Sequence, residues 1–80
     1  MPRYFFRLSE CGTVLEDREG AELPDTTAAL HRATIEARSI MAAEVASGKL
    51  CLSCRIEICD NDGEQVAVVP FRDVLSISGL

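Results

Sequence analysis

Four cysteines, one histidine and thirteen carboxylates are the side chains that could do chemistry in this chain of 80 residues. Cys51-Leu52-Ser53-Cys54 is a C-x-x-C. Two thiolates at that spacing grip zinc or close a redox disulfide when a tight turn presents them. The surrounding residues alternate instead. Leu50, Leu52, Cys54, Ile56 and Ile58 share one parity; Cys51, Ser53, Arg55, Glu57 and Cys59 share the other. That pattern predicts one long strand over residues 50–60. In a strand the two thiols face opposite sides, with Cα atoms about 10 Å apart, too far for one metal or one disulfide. The expectation is a core Cys54, a surface Cys51, no metal and no cofactor. A turn over residues 51–54 would reverse it and bring in Cys11 or Cys59 as further ligands.

The remaining candidates have simpler readings. Asp60-Asn61-Asp62-Gly63-Glu64 has the acids of a calcium loop. Its glycine is fourth, where an EF-hand needs it sixth, so the segment reads as an acidic hairpin turn. Glu16, Asp17, Glu19, Glu22 and Asp25 precede a helix, where negative charge favours the helix N-terminus. His31 falls off the apolar stripe of that helix and reads as solvated. No nucleophile elbow, P-loop or dinucleotide fingerprint surrounds the serines and glycines. No catalytic residue is assigned, and enzymatic activity is not expected.

The elements that position these residues follow from periodicity. Residues 3–8 read as a strand with Tyr4, Phe6 and Leu8 on one face and Arg3, Phe5 and Arg7 on the other. Ser9-Glu10-Cys11-Gly12 is turn chemistry, and residues 13–17 return as a second strand. Asp25 is a good N-cap for a helix over residues 25–47, and Gly48 is its natural stop. Ala29, Leu30, Ala33, Ala37, Ile40 and Met41 gather on one side of it. Asn61-Asp62-Gly63 joins the long strand to a last one over residues 65–71. That last strand is apolar on both parities, and Pro70 marks its end or an edge position. Residues 72–80 form an apolar tail.

The fold expected is α+β, one domain over residues 1–80, laid out ββαββ. A four-stranded antiparallel sheet, spatial order 2-1-3-4, packs one face on the helix. A chain this short has a small core and gains from a partner subunit. Its formal net charge of −5 repels phosphate backbones. Nucleic acid and membrane are therefore not expected partners. No apolar run is long enough to span a bilayer and no signal-peptide core is present, so the expected location is cytoplasmic, with reduced cysteines.

The motif order also resembles a known family. Met1-Pro2-Arg3-Tyr4-Phe5-Phe6, Gly20-Ala21-Glu22-Leu23-Pro24-Asp25, the alanine-rich helix, Arg55-Ile56-Glu57-Ile58 and Val69-Pro70-Phe71 are similar to the domain of unknown function 6894 family. These are short bacterial proteins common in alphaproteobacteria. The resemblance covers nearly the whole chain and implies no activity. Family members often carry His at the position of Arg7, so no catalytic role passes to it. The four cysteines are not part of the family pattern.

The helix can cover only one sheet face. The other would carry Arg3, Phe5, Arg7, Cys51, Ser53, Arg55 and Glu57. Stacking two such faces gives a homodimer, or another protein docks there. Alternatively, Phe5 stacks a base while Arg3, Arg7 and Arg55 hold phosphates, as open sheets do for single-stranded RNA. A third reading is a solvated face laced by Arg–Glu pairs. The leading expectation is a non-enzymatic protein acting by association, as a homo-oligomer or with a protein partner. A nucleic-acid module and a cysteine-based metal or redox protein are the alternatives.

Overall fold

A computed structural model describes residues 1–10 and 12–79. Cys11, expected in the first turn and among the possible metal ligands, lies outside the described residues. The described elements run β1 (Arg3–Glu10), β2 (Thr13–Glu16), β3 (Ala21–Glu22), α1 (Thr26–Ala46), β4 (Arg55–Cys59) and β5 (Gln65–Pro70), closing with a 3₁₀ turn, Phe71–Val74.

All sheet pairs are antiparallel, in the order β2-β1-β4-β5. That is the expected order once β3 is set aside. The sheet has five strands, not four, because β3 pairs with the start of β1, Arg3 opposite Glu22 and Tyr4 opposite Ala21. Two residues carry no readable period. What makes them a strand is the turn before them. Asp17 Oδ1 accepts from the amides of Glu19 and Gly20, and Gly20 turns the chain at φ +70°.

Alternation in β1 buries Tyr4 and Phe6 beneath the helix. Asp25 caps α1 by accepting from the Ala28 amide, and Gly48, at φ +89°, follows the C-cap Ser47. Ala29, Ala33 and Ala37 are fully buried, with Met41 next in the same row. Having no side chain beyond Cβ, these alanines let the helix axis lie close to the sheet. Leu30 departs from the expected stripe and is exposed. It stands 100° round from Ala29 and overshoots the narrow contact that alanines make. The core is completed by Ile56 and Ile58 from β4, Val69 from β5, Cys54 and Phe71. This resolves the last strand: Val69 faces the core and Val68 faces out. Phe71 belongs to the 3₁₀ turn, not to the strand.

The long strand expected over residues 50–60 is confined to Arg55–Cys59, and the chain bends at Leu52 and Ser53. Side-chain alternation does persist, but a strand also needs backbone partners. The β1 register places Ser9 opposite Arg55, and β1 ends one residue later at Glu10. On the other side β5 stops at Pro70, opposite Arg55. Among the described residues, positions 50–54 therefore have no ladder on either side beyond one bond, from the Phe71 amide to the Cys54 carbonyl. Among the described residues no helix is long and apolar enough to cross a membrane.

Candidate functional site

Two places concentrate polar or reactive side chains: the sheet face away from α1, and the bend before β4. The outer face is built by pairing. Arg7 stands opposite Glu16 on β2 and Glu57 on β4. Its guanidinium lies 3.5 Å from Glu16 and 3.8 Å from Glu57, forming a three-strand ladder. Ser9 donates to Glu57 at 3.4 Å. Arg3 pairs with Glu22 at 3.1 Å and donates to the Glu19 carbonyl at 2.7 Å. Such exposed pairs contribute only about 0–1 kcal/mol each, but they fix the side chains. Arg55 makes no ion pair among the described residues. The face holds Arg3, Arg7 and Arg55 against Glu16, Glu22 and Glu57. Its formal charge is thus zero, while the chain carries −5.

Apolar groups flank this ladder. Val68 sits opposite Glu57 and is 37% exposed; Val14, opposite Ser9, is 53% exposed. At one end of the face a groove of about 390 Å³ has Phe5, Arg7 and Cys59 among its lining, with Asp17, Arg18 and Asn61 from the adjoining loops. The Phe5 ring packs against Gly20: a Cβ built on Gly20 would meet it at 2.9 Å. Phe5 is accordingly half-covered, and Arg3 and Arg7 hold carboxylates of their own chain. Asp60 Oδ1 in the neighbouring turn accepts from the amides of Asp62 and Glu64, as a hairpin turn does. His31 is exposed on the helix.

The free edge of β5 is blunted. Because the Phe71 amide points to β4, antiparallel alternation turns Val68 and Pro70 outward. Pro70 has no N–H to offer there, and a register shift interrupts the strand between Ile58 and Cys59 of its partner. Proline and irregularity are the usual guards against edge-to-edge pairing. The opposite edge, β2, is four residues long.

A family model for a domain of unknown function (DUF6894) matches residues 3–72. The chain belongs to the DUF6894 family. The match takes in every strand of the sheet, α1 and the Val69-Pro70-Phe71 corner. The outer face and the Arg7 ladder therefore stand on the DUF6894 domain itself. None of the curated proteins and none of the solved structures matches the chain.

The structure brings Arg3, Phe5, Arg7, Arg55 and Glu57 to one face, as the alternation predicts. Ser53 precedes β4 in the bend and lines a cleft with Ser9, Val14 and Arg55 of that face, whereas Cys51 packs against the core. In the bend the opposite-face reading of the cysteines fails: Cys51 Sγ and Cys54 Sγ lie 2.6 Å apart. Ser53 Oγ is 3.4 Å from Cys51 Sγ. Cys54 is 1% exposed and Cys51 is partly buried against the core. One signal could have found this pair. The turn expected at residues 9–12 ends the first strand, so the strand pairing with it had to lose its partner near residue 54.

Proposed function

We propose that this domain acts by association, as a homodimer that stacks the outer sheet faces of two copies. The observation that carries the reading is the charge balance of that face. Two chains of −5 repel one another, and a face of zero formal charge is where they approach at least cost. It also has apolar side chains at hand, Val14 and Val68. Blunted edges favour stacking over strand addition.

The expected affinity is modest. Four strands about 4.8 Å apart and about six residues long present roughly 400 Å² of flat face. Two such faces bury roughly 800 Å² in total, below the usual range for stable interfaces, so the dimer is a weak, transient one with a dissociation constant on the order of 100 µM. The internal ladder also costs some desolvation when covered. Phosphate recognition is less well supported, since Arg3 and Arg7 are engaged by carboxylates.

Sedimentation equilibrium tests the reading. The wild type is expected to populate a dimer at about 100 µM and above. Val68→Lys is expected to weaken it at least about tenfold, a loss of about 1.4 kcal/mol. Ile35→Lys, on the exposed side of α1, is expected to leave it unchanged. A wild type that stays monomeric at millimolar concentration, or equal effects of the two substitutions, would refute face stacking.

A further inference from the structure

We propose that Cys51 and Cys54 are a reversible thiol–disulfide pair, oxidised by small-molecule disulfides and reduced by dithiols. The inference rests on the bend before β4 and is independent of dimerisation. The bend brings the two sulfurs of the C-x-x-C into direct contact, 2.6 Å apart, which is the proximity that thiol–disulfide chemistry needs.

The two sulfurs differ in access, which sets their roles. Cys51 is partly exposed and lines a surface cleft with Glu10, Thr13, Glu44, Lys49 and Leu50. Cys54 is buried among Ile56, Phe71 and the helix alanines. Cys51 is therefore the sulfur that an outside disulfide meets, and Cys54 the one that resolves. The Ser53 hydroxyl, 3.4 Å from Cys51 Sγ, is placed to donate to a thiolate there. In the first step Cys51, losing its proton, attacks a disulfide RS–SR. A mixed disulfide Cys51–S–SR forms and one RS⁻ leaves. In the second, Cys54, losing its proton, attacks Cys51 Sγ; the Cys51–Cys54 bond forms and the second RS⁻ leaves. The two protons end on the two RS⁻ groups. The protein dithiol is oxidised by two electrons and RS–SR is reduced to two RSH. Closure joins the end of the α1–β4 connection to a residue whose carbonyl holds the Phe71 amide.

The full chain is equilibrated with graded ratios of reduced to oxidised glutathione, acid-quenched, alkylated and digested with trypsin. Cleavage after Lys49 and Arg55 places both cysteines in one peptide. That peptide is expected to lose both alkyl groups together and two mass units, in a single transition, while Cys59 stays alkylated. Cys54→Ser is expected to accumulate glutathione on Cys51. Cys51→Ser is expected to leave Cys54 at least tenfold less modified. The wild-type digest decides the matter even where a variant fails to fold. Retention of both alkyl groups at the most oxidising ratio overturns the proposal. So does a link from either sulfur to Cys11 or Cys59, equal modification of the two variants, or one equivalent of zinc held by the purified protein and protecting both thiols.

Discussion

Gly20 stands at φ +70°, and a Cβ there would come within 2.8 Å of the Tyr4 carbonyl oxygen and 2.9 Å of the Phe5 ring. Gly48 has a similar φ, +89°, but open space around it. The pair separates conformational strain from steric conflict. Gly48→Ala is expected to cost about 1 kcal/mol, the price of a left-handed alanine. Gly20→Ala should cost roughly 1–3 kcal/mol more, because backbone must move and β3 loses its turn. Urea denaturation of the two variants measures the difference, and equal midpoints would contradict the close approach. At the same scale the two cysteines show how local geometry overrides spacing. The i, i+3 separation puts thiols on opposite sides of a strand, yet a bend at Leu52 and Ser53 brings them together.

The helix–sheet contact depends on the smallness of one row of α1. Ala33 has no exposed surface, whereas Ala42 on the same helix faces solvent. Ala33→Leu adds volume where none is free and is expected to destabilise the domain by about 1–3 kcal/mol. Ala42→Leu is expected to stay within about 0.5 kcal/mol of the wild type. Thermal unfolding followed by circular dichroism compares them. A tolerated Ala33→Leu would mean that the helix does not sit as closely as its buried alanines indicate. The periodicity that marks this row was legible in the residues. The exposure of Leu30 was not, since a 100° step decides only which way a side chain points, not how wide the contact is.

For the whole molecule the dominant quantity is charge. The ladder on the outer face satisfies Arg7 within its own chain, so the dimer proposed above gains little from ion pairs between copies. What remains between two copies is repulsion of −5 against −5. Raising NaCl from about 20 to about 300 mM shortens the screening length severalfold and is expected to tighten self-association. Sedimentation at the two salt concentrations reads this directly. Weakening with salt would show instead that charges pair across the interface.

Alternation and capping determined, from the residues alone, which side chains of β1 and β4 share a face, where α1 begins, and that an outer sheet face exists. These are properties of neighbouring residues, and period and turn chemistry record them. Strand length was decided by the tertiary structure. β4 is short because β1 ends at Glu10 and β5 at Pro70, and a strand cannot outlast the backbone groups that pair with it. The meeting of Cys51 and Cys54 follows from that loss of partners. The C-x-x-C was visible from the start; the bend that gives it a chemistry belongs to the fold.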